Sequence, residues 1–255
     1  MKKTIKKVTE TVKKVIKGFK AETLKKVTCK ARKLIDSYKK DIASGVDLKV
    51  SITTGNRKIG RVLNVSLMPI VTCANCKECM RLCYDIKACL QYPNVIIARC
   101  RNTAMALFSP DSYFEQIENK LSRRKTNKFF RWHVGGDIPS YGYFSRMVDI
   151  AKRFPDFTFW TYTKNYNVVN LYCTIHGESK ACIPENLSVM FSRWDGMPMD
   201  NPYGFGEFCC KLPEGNVDTT EEEFSEMWQC PGNCEVCILA KRGCITNETS
   251  CVDAH

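Results

Sequence analysis

The sequence has no apolar run long enough to cross a membrane. Its longest stretch without a charged residue is the 15 residues from Val62 to Cys76, which Asn64 and Pro69 interrupt. A membrane-spanning helix needs about 20 predominantly apolar residues. The N-terminal lysines are also not followed by the apolar segment of a secretory signal. We therefore expect a cytoplasmic protein with no membrane partner.

Histidine is scarce, with three residues, whereas cysteine is abundant, with 16. Metal sites that mix cysteine and histidine ligands are therefore poorly supplied. A disulfide framework is also not expected, because cytoplasmic thiols are kept reduced. Clustered thiols in a reducing compartment usually bind metal, and thiolate-rich sites select zinc or iron–sulfur clusters.

Acidic residues are scarce near the N-terminus. Residues 1–40 hold 15 Lys or Arg against three acidic residues, a net charge of +12, whereas the other 215 residues hold 24 of each sign. Apolar residues recur there at steps of three and four, which predicts a basic amphipathic helical arm over residues 1–48. Two interpretations stay open. The apolar stripe packs on the body and leaves the lysines solvated, or residues 1–40 bind nucleic acid or another partner.

Strand and helix patterns alternate along the central part of the chain. Strands are expected at 61–68, 95–98, 129–134, 157–163 and 187–192, and helices at 102–125 (with a new start at Ser109-Pro110), 140–154 and 165–176. Residues 41–60 have the pattern of a loop. This alternation predicts an α/β fold, either a partial (β/α) barrel or an open parallel sheet, over residues 49–208. A Cys-rich metal-binding segment, 209–255, follows. Ligands of such folds bind at the carboxyl ends of the strands.

A first cysteine cluster lies within eleven residues after the first expected strand. It comprises Cys73, Cys76, Cys79 and Cys83. The spacing C-x2-C-x2-C-x3-C is that of bacterial ferredoxins, in which closely spaced thiolates surround an iron–sulfur cubane. We therefore expect a [4Fe–4S] cluster here. Zinc and unligated thiols are the alternatives, although zinc usually takes two separated C-x2-C pairs.

A second cysteine cluster lies near the C-terminus. It comprises Cys230, Cys234, Cys237 and Cys244. If these four thiolates bind all the irons of one cluster, no iron stays open to a ligand. The cluster would then be structural or relay electrons. The two sets of cysteines hold one metal centre or two, and both possibilities stay open. The isolated Cys29, Cys89 and Cys100 are expected to be ordinary buried side chains.

Three expected strands end in polar or charged residues. The first is followed by Gly135-Gly136-Asp137, the second ends at Tyr162 and Lys164, and the third at Ser192 and Arg193. These seven residues are expected to line one cofactor pocket, in which glycines let a backbone approach the ligand and Asp137 grips an ammonium group. The alternative is a tight turn in which Asp137 caps a helix. His133, just before this turn, fits a core position as well as an active one.

The motifs resemble a known family. The segment TGNRKIG at 54–60, a strand, and then Cys76, Cys79 and Cys83-Tyr84 resemble the phage-encoded, Cys-rich gene-product-eighty-eight family. That family is in turn similar to radical S-adenosylmethionine enzymes, and the resemblance spans roughly residues 50–245. In those enzymes a Gly-Gly-Glu element after the second strand holds the amine of the cofactor. The resemblance implies that role for Gly135, Gly136 and Asp137, and a cluster held by Cys76, Cys79 and Cys83.

Two functions are compatible with these features. The first is an iron–sulfur protein, enzyme-like, that binds S-adenosylmethionine for radical chemistry on an unknown substrate. The second is a non-enzymatic phage accessory protein with structural metal clusters, whose basic arm binds nucleic acid or a host partner. Beside these two, a zinc-ribbon-like nucleic-acid module is a third and less favoured function.

Overall fold

The computed structural model describes residues 18–56, 59–74, 79–212 and 214–253. Within these residues seven strands form one open sheet in the order β1-β2-β3-β4-β5-β7-β6, and every neighbouring pair is parallel. The strands are β1 (Leu63–Val65), β2 (Phe129–Trp132), β3 (Thr158–Thr163), β4 (Leu187–Arg193), β5 (Glu207–Lys211), β6 (Trp228–Gln229) and β7 (Ser250–Asp253). The expected α/β fold with a parallel sheet is confirmed.

Eight helices lie between these strands or before them in the described part of the chain. They are α1 (Ala21–Ala43), α2 (Tyr84–Gln91), α3 (Pro93–Phe108), α4 (Pro110–Ser122), α5 (Tyr141–Arg153), α6 (Tyr166–Ile175), α7 (Glu221–Glu226) and α8 (Cys234–Ala240). Short 3-10 helices occupy Cys79–Leu82, Lys180–Cys182 and Gly243–Thr246. No helix among the described residues is both long and apolar enough to cross a membrane.

The two faces of the sheet have different covers, because side chains alternate along each strand. One face carries large apolar side chains that pack against helices α4, α5 and α6; among them are Phe130, Trp132, Phe159, Val189 and Phe191. The other face carries Trp160, Tyr162, Met190 and Phe208, which pack against the Cys-rich C-terminal segment. That segment therefore covers the sheet as well as adding strands to it.

Helix α1 packs on the body of the protein through its apolar stripe. Leu24, Val27, Ala31 and Ile35 are buried, and the last three belong to the same apolar cluster as residues of α3. All lysines of α1 are exposed on its other side. The loop expected at 41–60 begins later than predicted, because α1 continues to Ala43. The first half of the expected arm lies outside the described residues.

One expected strand is wrong. Residues 95–98 belong to α3, which begins with Pro93 at its first turn. Proline is favoured at that position because its fixed φ suits a helix and its missing N–H is not needed there. Ile96 and Cys100, one helical turn apart, are buried against α1. A short apolar run cannot by itself distinguish a buried strand from one side of a helix.

Several expected boundaries are confirmed. Helix α3 ends at Phe108, Ser109 precedes α4, and α4 begins at Pro110. Ser140 caps α5 by accepting the N–H of Tyr143 at 3.3 Å. Cys89 and Cys100 are buried as expected, whereas Cys29 is exposed, because it lies on the outer side of α1.

Candidate functional site

The loops after β1 and β2 meet at the carboxyl edge of the sheet. Leu67 donates its N–H to the carbonyl of Gly135 at 2.9 Å, and Gly135 donates its own to Ser66 Oγ at 3.2 Å. Asp137 donates its N–H to Thr72 Oγ1 at 3.2 Å. The first loop carries the first cysteine cluster and the second carries the Gly-Gly-Asp turn, so these bonds hold the two motifs together.

Both glycines of the turn are needed because other groups approach their backbone closely. A Cβ on Gly135 would lie 1.9 Å from Asp85 Oδ2, and one on Gly136 would lie 2.8 Å from Thr72 Oγ1. Gly136 also has a φ of +81°, which side chains disfavour. Asp85 is buried at the start of α2 and receives two hydrogen bonds from Arg99, at 3.0 and 3.2 Å. The turn is therefore packed against the helix that follows the first cysteine cluster.

The carboxylate of Asp137 is buried and joins the end of β2 to the end of β3. Its Oδ1 accepts Thr163 Oγ1 at 2.6 Å and the N–H of Ile138 at 2.7 Å, and its Oδ2 accepts the N–H of Lys164 at 2.9 Å. Burial raises the pKa of Asp137, and the three hydrogen bonds and the nearby Lys164 charge offset this rise only in part. The residue thus has a role in the turn irrespective of any ligand.

Lys164 and Ser192 bring the ends of β3 and β4 together. Lys164 Nζ donates to Ser192 Oγ at 2.6 Å and lies 5.6 Å from the centre of the Trp194 ring. Tyr166 donates its hydroxyl to the Ser192 carbonyl at 2.6 Å. With Asp137, these side chains form a polar rim above the carboxyl ends of β2, β3 and β4.

The side chains of Tyr162 and Arg193 are not part of this rim, and each contacts other residues. Tyr162 lies on the sheet face covered by the C-terminal segment, with its ring 4.9 Å from that of Phe208. Arg193 pairs with Glu207 at 3.5 Å and donates to the backbone carbonyl of Asp218. Of the seven expected pocket residues, the structure gathers Gly135, Gly136, Asp137, Lys164 and Ser192.

The described thiols of the first cluster lie at this same edge. Burial raises the pKa of Cys83 to about 12, and the charges of Asp85 and Cys73 add smaller increases. Burial also raises the pKa of Cys210, at the end of β5, to about 11; Lys164 lowers it, and Asp253 and Cys79 raise it. Cys76 falls in 75–78, outside the described residues.

Two cysteines of the second cluster, Cys234 and Cys244, lie in the same apolar cluster. Burial raises the pKa values of Cys234, Cys237 and Cys244, and Cys230 contributes to the rise in each. Cys244 is buried, and its carbonyl accepts the hydroxyl of Ser188 at 2.5 Å. Cys230 donates its N–H to the carbonyl of Cys251 at 2.8 Å. Across the ranges that the structure describes, no group of three or more His, Cys, Asp or Glu side chains is arranged to hold a metal ion.

Arg131 lies beside the second set of cysteines, a position that the sequence pattern did not predict. It lies on β2, and its Nη1 is 3.9 Å from Cys234 Sγ. Its guanidinium is 4.7 Å from the centre of the Tyr162 ring, and it also interacts with Tyr84, the residue after Cys83. Alternation along β2 could have shown that Arg131 faces away from Phe130 and Trp132. It could not have shown which segment covers that face.

His133 is a core residue. Its Nε2 lies 3.0 Å from the hydroxyl oxygen of Tyr143, and its Nδ1 lies 3.4 Å from the hydroxyl oxygen of Thr161. Burial lowers its pKa to about 3, so the imidazole is neutral. Of the two interpretations left open for this residue, the structure favours the structural one.

Comparison with protein families matches most of the chain. The family model Gene product 88 matches residues 23–201, which include all but the first two residues of α1, the first cysteine cluster and the polar rim. The matched region ends before the second cysteine cluster. No curated protein and no solved structure matches the chain.

Proposed function

The chain belongs to the Gene product 88 family of phage gene products, and we propose that it is an iron–sulfur protein that binds S-adenosylmethionine for radical chemistry. One observation carries this proposal. The Cys-rich loop after β1 and the Gly-Gly-Asp turn after β2 are hydrogen-bonded to each other at the carboxyl edge of a parallel sheet. Ligands of such sheets bind at this edge.

The donor set of the first loop suits an iron–sulfur cluster. Cys73, Cys79 and Cys83, with Cys76, supply closely spaced thiols on one short loop. Burial keeps Cys83 protonated when no metal is bound, and metal binding would replace the proton. One-electron reduction of the sulfonium of S-adenosylmethionine is the chemistry that such a cluster supplies when bound.

The polar rim supplies contacts for the methionyl part of the cofactor. A carboxylate has about four acceptor positions, and three of those on Asp137 are used within the protein. The cofactor ammonium would take the remaining one. Lys164 and Ser192 would bind its carboxylate through a charge and a hydroxyl. The substrate of the reaction is not specified by these contacts.

Anaerobic reconstitution with iron and sulfide tests this proposal. We expect a brown protein with iron and sulfide in equal amounts, and loss of iron when Cys73, Cys79 and Cys83 are replaced by Ser. Cys29→Ser, at an exposed position of α1, is the control and should retain its iron. The loaded protein should bind S-adenosylmethionine and, with dithionite, release 5′-deoxyadenosine. Iron loading without cofactor binding would favour a structural cluster, and a colourless zinc protein would refute the iron proposal.

A second candidate is a non-enzymatic accessory protein that binds nucleic acid or a host partner. The exposed lysines of α1 favour it, because the apolar side of the helix is already packed on α3 and leaves the basic side facing solvent. Basic surfaces bind phosphates with little sequence preference. This function is compatible with structural metal and with an inactive polar rim.

A further inference from the structure

Two buried N–H donors without hydrogen-bond partners lie beside the second cysteine cluster. They are Nε of Arg131 and Nε1 of Trp228. Buried donors are almost always paired, so an orphaned one calls for an explanation, such as an absent ion. Both donors neighbour cysteines of the same cluster, which suggests that one group would satisfy both.

Arg131 has sulfur and aromatic neighbours in place of an acidic partner. Its Nη1 faces Cys234 Sγ at 3.9 Å, and its guanidinium lies over Tyr162. None of the salt bridges among the described residues includes Arg131. An uncompensated guanidinium in such a place is costly. Negative charge on the neighbouring sulfurs would remove that cost.

Trp228 is brought close to the cluster by a glycine. A Cβ on Gly243 would lie 2.6 Å from Cδ1 and 2.9 Å from Nε1 of Trp228, and the φ of Gly243 is +73°. Gly243 directly precedes Cys244. The chain thus places two N–H donors around the four sulfurs.

We propose that Cys230, Cys234, Cys237 and Cys244 hold a second, closed [4Fe–4S] cluster whose charge Arg131 compensates and whose sulfurs accept the N–H groups of Arg131 and Trp228. Four thiolates around such a core carry a net negative charge, which matches a guanidinium without a carboxylate. Hydrogen bonds to the sulfurs and nearby charge are known to set cluster potentials.

This second cluster is independent of cofactor binding by the first loop. Three proteins separate the two assignments: the unaltered chain, a variant with Cys73, Cys79 and Cys83 replaced by Ser, and one with Cys230, Cys237 and Cys244 replaced by Ser. After anaerobic reconstitution we expect about eight irons per chain in the first and about four in each variant. About four in the unaltered chain and none in the first variant would overturn the second cluster alone. Zinc in place of iron at the C-terminal set would also overturn it.

Single substitutions test the site where the triple variants fail to fold. Arg131→Met should retain iron but move one reduction midpoint to a more negative potential, because reduction adds an electron beside a lost positive charge. Arg131→Lys should restore much of this shift, and Trp228→Phe, which removes only the N–H, should give a smaller one. Arg124→Met is the control, because Arg124 also has a buried, unpartnered Nε but lies just after α4. Unchanged midpoints in Arg131→Met and Trp228→Phe would overturn the proposal.

Discussion

The carboxylate of Asp85 lies directly against the α-carbon of Gly135, where a Cβ would come within 1.9 Å of Oδ2. Asp85 cannot move aside freely, because Arg99 holds both of its oxygens. The helix after the first cysteine cluster and the turn after β2 therefore fix each other's position.

Gly135→Ala should lower the free energy of unfolding by about 3 kcal/mol, because the added methyl group displaces a buried ion pair. Gly142→Ala is the matched control, since nothing lies within 4 Å of a Cβ there. Gly142 is in α5, so its replacement should stabilise the protein by about 1 kcal/mol or less. Urea unfolding of both variants measures the difference. Equal stability of the two would show that Asp85 gives way.

Replacing one partner of the Asp85–Arg99 pair should destabilise the protein more than replacing both partners. Asp85→Leu or Arg99→Met alone leaves a buried charge without its partner and should cost about 3 kcal/mol or more. The double variant should recover a large part of that loss. A double-mutant cycle in urea yields the interaction free energy of the pair. Additive losses would show that each side chain is stabilised separately by other contacts.

Protonation of His133 should destabilise the protein below neutral pH. Its pKa of about 3 in the folded protein lies far below the usual 6.5 of an unfolded chain. The unfolded chain therefore binds the proton first, and stability is full above about pH 6.5 and falls as the pH drops. At pH 5 the loss from this residue should be about 2 kcal/mol. Chemical unfolding at pH 7 and 5 measures it.

His133→Gln should remove this part of the pH dependence. His176→Gln is the control, because His176 is exposed on the surface. The same pH dependence in His133→Gln as in the unaltered protein would show that His133 takes up its proton without disturbing the fold.

Asp137→Ala should affect stability as well as cofactor binding. It leaves three donors without their acceptor, and we expect a loss of about 3 kcal/mol. Asp137→Asn keeps Oδ1 as an acceptor and should fold better, yet bind S-adenosylmethionine at least about tenfold more weakly, since the charge-assisted bond is lost. Thr163→Val is the control, because it removes one internal bond but leaves the carboxylate. Equilibrium dialysis with the iron-loaded proteins measures the affinity. Unchanged affinity in Asp137→Asn would remove Asp137 from the cofactor site.

The exposed lysines of α1 should give salt-dependent binding to nucleic acid if the second candidate function holds. Lys25→Glu, Lys26→Glu and Lys33→Glu, combined, should reduce the slope of log K against log salt by about one for each phosphate that is no longer neutralised. The matched control combines Lys120→Glu, Lys125→Glu and Lys152→Glu. These three lysines are also exposed, but they lie outside α1. Salt titrations on a random duplex and a single strand measure the slopes. Identical slopes in both variants would exclude α1 from binding.

The alternation of strands and helices could be predicted where each element has a clear period. In α5, buried Phe144, Met147 and Val148 follow the helical spacing, and β3 is rich in aromatic and β-branched residues. The C-terminal strands could not be predicted in this way. Strand β6 has two residues and β7 has four, and polar residues and cysteines interrupt any apolar alternation.

The candidate site was predictable in its motifs but not in its neighbours. The parallel topology places the glycine turn and the cysteine loop at one edge, as the strand order implied. Two partners of the Asp137 carboxylate, Thr163 and Lys164, are 26 and 27 residues away in the chain. Arg131 and Cys234 are 103 residues apart. Such contacts depend on which segment covers which face of the sheet. Local pattern carries no information about that choice.

The position of β7 between β5 and β6 has a consequence for synthesis on the ribosome. Strand β6 pairs with β7 and has no other strand neighbour among the described residues, so Trp228 joins the sheet only after Ser250 has been made. Domains begin to fold while translation proceeds from the N-terminus. The segment that carries Cys230, Cys234 and Cys237 must therefore wait, unpaired, until some twenty later residues leave the exit tunnel. During this interval β5 is an open edge, and the C-terminal thiols lack the cover that the finished sheet gives them.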